Sequence, residues 1–206
     1  MSRTDISPQI AIFHVNTIPS ESFEEFRSAT ERPEVVVQVV AVEPPGPMAG
    51  IEWLMPAFVT AFVASAYFGG FFQEMGKDHY LLLKEQLKKL YPKVAGPEAP
   101  NLQLVGTKGK VSETQPYSLY FSVVGEGPKG VRVKLLLKKQ IAPAEFERSV
   151  DLFLDLLRDM NSGTMNEVVR KRFESVTSVG RTVLVVYDDA LDQVVPVNPR
   201  TGELER

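Results

Sequence analysis

The chain has 206 residues, enough for one or two domains with a substantial core. Apolar residues make up 44% and charged residues 24%, as in ordinary folded proteins, and a net charge of −3 gives no basic field for nucleic acid. There is no cysteine, which excludes disulfides, thiolate catalysis and cysteine-ligated zinc or iron–sulfur clusters.

Charge is uneven along the chain: residues 1–52 carry three arginines against eight acids, and the first lysine is Lys77. Residues 1–20 lack the charged start and long apolar core of a signal peptide, so the expected location is the cytosolic side unless a later segment inserts. Residues 9–15 (QIAIFHV) read as a short strand. Ser22 and Glu25 form S-x-x-E, a capping box that would open a short helix burying Phe23 and Phe26. Residues 34–42 (EVVVQVVAV) are β-branched and almost continuous, which predicts a strand buried on both faces. Pro44-Pro45-Gly46-Pro47 stops it.

Residues 53–73 then run for 21 positions without a charge. As a helix this segment would be about 31 Å long, the thickness of a bilayer core. Ala57, Ala61, Ser65 and Gly69 recur every four residues, a small-residue ladder that in a membrane would favour self-association. Trp53 marks one edge, and Lys77, Lys84, Lys88, Lys89 and Lys93 follow the other. If the helix spans, the lysines place the C-terminal part in the cytoplasm. The other reading is a core helix lying against a sheet, in a cytoplasmic protein. Beyond Gly76, Tyr80, Leu83, Leu87 and Leu90 form an amphipathic stripe that Pro92 should end.

Residues 94–101 read as a linker. Residues 117–124 and 131–139 predict a β-hairpin, with Val131, Val133, Leu135 and Leu137 facing one way and Arg132, Lys134 and Lys138 the other. Pro143 opens a helix through Met160, capped by Gly163. Thr164 and Glu167 form a second capping box for a helix ending near Val176. Residues 182–187 and 193–197 predict a last hairpin around Asp188, Asp189 and Asp192.

The chemistry-bearing residues are few. His14 reads as structural. His79 lies in Gly76-Lys77-Asp78-His79-Tyr80, where a pH-sensitive or interfacial role fits better than catalysis. The aspartates near 188 lack EF-hand spacing and read as a solvated turn. Gly106 to Lys110 lacks the full phosphate-loop pattern, and Arg170-Lys171-Arg172 reads as a solvated face. No catalytic motif, metal set or cofactor signature is found, so a non-enzymatic protein is expected.

Residues 71–90 (FFQEMGKDHYLLLKEQLKKL) resemble a pattern in small bacterial proteins, in which an apolar helix runs into G-K-D-x-Y-x-x-L-K and then a hairpin and helices. Some of these are similar to effector-associated components of bacterial conflict (defence) systems. The resemblance spans about residues 51–160. It implies a membrane-linked or partner-binding role, with Gly76, Asp78, Tyr80 and Lys84 singled out, to which His79 is added as a functional patch.

The expected architecture is α+β, with a mixed or antiparallel sheet, one long apolar helix over residues 51–91 and two C-terminal helices. The segments are 1–47 (strand-rich), 48–93 (helix), 94–105 (linker) and 106–206 (an α+β interaction domain). The expected protein associates with membrane or self-assembles as a homo-oligomer through Ala57, Ala61, Ser65 and Gly69. Lipid or a protein are the other partners considered. The alternative is an α+β scaffold or subunit with the apolar helix as core.

Overall fold

Seven strands form one mixed sheet in the order β2-β1-β3-β4-β5-β6-β7. A computed structural model describes residues 7–44, 56–95 and 116–205, with the backbone alone at 70–76. The elements run β1 (Ile10–Val15), α1 (Glu24–Thr30), β2 (Val37–Val42), β3 (Val59–Val63), α2 (Gly70–Ala95), β4 (Phe121–Glu126), β5 (Arg132–Leu136), α3 (Pro143–Ser162), α4 (Glu167–Glu174), β6 (Thr182–Asp188) and β7 (Gln193–Val197). Parallel pairs β1/β2, β3/β4 and β5/β6 alternate with antiparallel pairs β1/β3, β4/β5 and β6/β7. Each parallel pair is joined through at least one helix, because parallel neighbours need a crossover.

The mixed sheet and the two C-terminal helices follow the sequence reading, but the apolar helix does not form. Residues 59–63 are instead the interior strand β3, paired with β1 on one side and β4 on the other. A short apolar run does not distinguish a strand buried on both faces from a buried helix. Here Pro56 precedes the run, Val59 and Val63 are β-branched, and a 3-10 turn at Ser65–Phe68 ends it before Gly69 and Gly70. The helix over 51–91 is corrected to α2, which starts only at Gly70. Among the described residues, no helix is long and apolar enough to cross a membrane. Trp53 and residues 106–110 lie outside the described residues.

The helices pack on one face of the sheet. Leu83, Leu87, Leu90 and Val94 of α2 and Phe146, Val150, Phe153 and Leu157 of α3 meet Val59, Ala61, Phe121, Val123, Val133 and Leu135 in one buried core. Phe23 and Phe26 join it, as their spacing predicted. Pro92 does not end α2, which runs on to Ala95 because fully buried Val94 keeps the last turn docked. Neither capping box forms: Phe23 stands at the N-cap of α1 without a side-chain bond, and α4 is capped by Asn166, which accepts from Val168 N–H at 2.8 Å. Gly163 does cap α3, in the left-handed conformation at φ 71°.

β2 is not buried on both faces, since it is the first strand in the sheet order and Gln38, Ala41 and Val42 are exposed. On the face opposite the helices, Tyr117, Leu136, Leu184, Val186, Val195 and Val197 form a small second core. Between that cluster and β1, the same face holds a cleft.

Candidate functional site

The cleft follows from strand register. Phe13 on β1 neighbours Thr60 on β3, which neighbours Ser122 on β4. Beside this row, Phe62 neighbours Val124, and Val124 neighbours Lys134 of β5. Arg132 neighbours Thr182 of β6. Side chains alternate across a strand, so all of these point away from the helices. With Pro56 they enclose about 350 Å³. Three hydroxyls, two cations and an apolar wall line the space, and no carboxylate or imidazole is among the lining residues.

Lys134 is the unusual member. The residue is 6% exposed, and burial pushes its pKa down to about 8. At neutral pH the ammonium form still predominates. The Thr60 and Ser122 hydroxyls lie 3.3 Å apart beside it. Glu126, next along β4, is turned to the end of the sheet, where Ser65 N–H and Oγ–H both donate to its Oε2 at 3.1 and 2.9 Å. A ligand here would meet cations and hydroxyl donors against Phe13, Phe62 and Val124. The period-two pattern places Lys134 opposite the core face of β5. Its burial depends on the flanking strands β4 and β6, whose Val124 and Leu184 pair with it.

The sequence-derived candidates are dispersed. Ala57 precedes β3, Ala61 lies within it, Ser65 starts the 3-10 turn and Gly69 ends that turn, so the four share no helix face. Ala61 packs into the core and Ser65 is held by Glu126. Gly76, Asp78, His79, Tyr80 and Lys84 do share α2, but they do not converge. Asp78 is exposed. His79 is buried, and its Nε2–H donates to Thr30 O at 2.8 Å while Nδ1 accepts from the Tyr67 hydroxyl at 2.9 Å. A carbonyl can only accept, which fixes this neutral tautomer. Burial lowers the His79 pKa, with nearby Arg32 adding to the effect and the Thr30 hydrogen bond opposing it.

Tyr80 turns to α3, where its hydroxyl donates to Asp155 Oδ1 at 2.7 Å. Lys84 pairs with Asp155 at 3.0 Å, and Lys88 with Asp151 at 2.8 Å. These pairs line a broad groove between α2 and α3 of about 760 Å³, whose charges largely satisfy one another. His14 is structural: it is buried against Phe23 with ring centroids 4.5 Å apart, and its Nε2 lies 3.1 Å from Ser20 Oγ.

Asp192 takes Arg148 Nε–H at 2.8 Å and the Tyr187 hydroxyl at 3.0 Å, and Asp188 Oδ1 accepts from Ala190 N–H at 3.1 Å. The aspartates therefore brace the hairpin, and no group of metal-ligating residues occurs among the described residues. Lys171 pairs with Glu167 at 2.9 Å, and Arg170 and Lys171 are exposed on α4.

The fold and cleft define a mixed-sheet protein with its helices on one face and a cationic, hydroxyl-lined cleft on the other. No family model, curated protein or solved structure matches the chain.

Proposed function

We propose that this protein is a non-enzymatic binding subunit whose apolar segment is core. Its ligand is an anionic group carried on a small apolar body, taken up on the open face of the sheet. The observation that supports this most is the cleft lining, where two cations and three hydroxyls stand against an apolar wall with no carboxylate among them. Small-molecule sites combine such apolar walls with a few placed polar groups. A charge-assisted hydrogen bond from an ammonium is among the stronger single contacts a protein offers an anion. Both histidines are held in the core on the other side of the sheet, leaving the cleft without an imidazole for proton transfer.

Binding of 1-anilinonaphthalene-8-sulfonate, an anionic aromatic probe, tests this by calorimetry on the native protein. Saturable one-to-one binding is expected, weakened about tenfold by Lys134→Gln, the equivalent of about 1.4 kcal/mol. Affinity should also fall as pH rises past about 8, where Lys134 loses its proton. No binding, or equal binding by the variant, would contradict the proposal.

A further inference from the structure

We propose that Lys134 captures an aldehyde as a reversible imine, the aldehyde being carried by the same anionic, apolar ligand proposed above, so that the capture rests on the cleft being that ligand's site. Lys134 lines the cleft, yet the residue is almost fully buried. Its neighbours across the strands are Val124 and Leu184, both apolar. Such surroundings hydrate an ammonium poorly and favour the neutral, nucleophilic amine. With the pKa lowered to about 8, about a tenth of the chains carry that free amine at pH 7. An ordinary surface lysine holds far less of it.

The cleft also places the groups that would hold the rest of the ligand. Arg132 lies two residues before Lys134 on β5, so both side chains belong to the cleft face, about 7 Å apart along the strand. That spacing suits an aldehyde and an anionic group at opposite ends of one aromatic ring. Arg132 is exposed, and its planar guanidinium matches a carboxylate or phosphate. Phe62 and Val124, side by side across β3 and β4, offer apolar surface to the body between the two ends.

The chemistry needs only the amine and the ligand. The Nζ lone pair forms a bond to the carbonyl carbon, and the carbonyl π pair moves to oxygen. One N–H proton passes to that oxygen, giving a carbinolamine. Loss of the hydroxyl together with the second N–H proton leaves the C=N bond and one water, so no oxidant or reductant is consumed. The Thr60 and Ser122 hydroxyls, 3.3 Å apart, each donate and accept, as relaying a proton from nitrogen to oxygen requires. Water reverses the step, and the ligand leaves unchanged.

The probe is 4-formylbenzoate, which joins an aldehyde, a ring and a carboxylate; 4-(hydroxymethyl)benzoate matches it without the carbonyl. Each is titrated against the full chain carrying bound 1-anilinonaphthalene-8-sulfonate. In a second reaction the aldehyde is added with sodium cyanoborohydride, which reduces an imine to a permanent amine. The aldehyde should displace the dye at least tenfold more tightly than the alcohol. Peptide mass spectrometry should find one dominant adduct, at Lys134, that is lost in Lys134→Gln. If that variant fails to fold, the two compounds compared on the native protein decide. Equal displacement by both, with no adduct at Lys134, overturns the imine and leaves the anion-binding cleft standing. Adducts spread over the surface lysines without preference for Lys134 overturn the imine as well. A dye that does not bind, or that neither compound displaces, overturns the cleft and the imine with it.

Discussion

Tyr80, Lys84 and Arg158 converge on one carboxylate, that of Asp155, at 2.7, 3.0 and 3.0 Å. Tyr80 is buried and Lys84 nearly so, and their partner lies across the gap between α2 and α3. Asp155→Ala would strand a buried hydroxyl and a half-neutralised ammonium, and should cost about 2–3 kcal/mol by urea unfolding. Asp155→Asn retains an acceptor and should cost less; equal losses would refute the hydrogen-bond account.

His79 gives a pH signature of its own. Its folded pKa lies below the unfolded value near 6.5, so between the two the unfolded chain binds more protons. Stability should therefore fall as pH drops below about 6.5 and level off below the folded pKa. His79→Gln should flatten that part of a melting-temperature profile, and an unchanged slope would show that other groups carry it. The sequence marked both Tyr80 and His79, but not their opposite directions. Neighbours on a helix diverge by about 100°, and their partners, Asp155 and Thr30, lie in other elements.

At the scale of elements, the amphipathic helices were the most legible. The stripe of Phe146, Val150, Phe153 and Leu157 lies in the core as its spacing required. The last hairpin was equally plain, with β7 at Gln193–Val197 as read. The segment at 53–73 was not legible, because β3 carries apolar residues on its cleft face as well as its core face, which erases the period-two signal, and the uncharged length imitated a helix.

Gly125 on β4 was passed over as well, although it sets how closely α3 approaches the sheet. A Cβ there would lie 2.1 Å from Leu157 Cδ1 and 2.8 Å from its Cγ. Leu157 is fully buried, so any shift to make room presses on its core neighbours. Gly125→Ala should therefore destabilise by about 1–3 kcal/mol, the usual range for an overpacked core. Part of that loss should return when Leu157→Ala is added. Additive losses in the double variant would show that the contact is not what limits the packing.

Across the whole molecule, the sheet interleaves strands from both ends of the chain, so β1 and β2 share it with β4 to β7. The individual strands could be read locally, but their order could not, since sequence neighbours such as β2 and β3 are separated by β1. The cleft is a product of that order: Phe13, Thr60, Ser122, Lys134 and Thr182 come from five strands and touch only in this arrangement. Nothing near Lys134 in sequence records what surrounds it.

The most direct test of binding in the cleft is an amide NMR titration of the native protein with 1-anilinonaphthalene-8-sulfonate. Shifts concentrated at Thr60, Phe62, Ser122, Val124 and Lys134, and abolished by Lys134→Gln, are the expected result. Shifts confined to the groove between α2 and α3, or none at saturating probe, would contradict it.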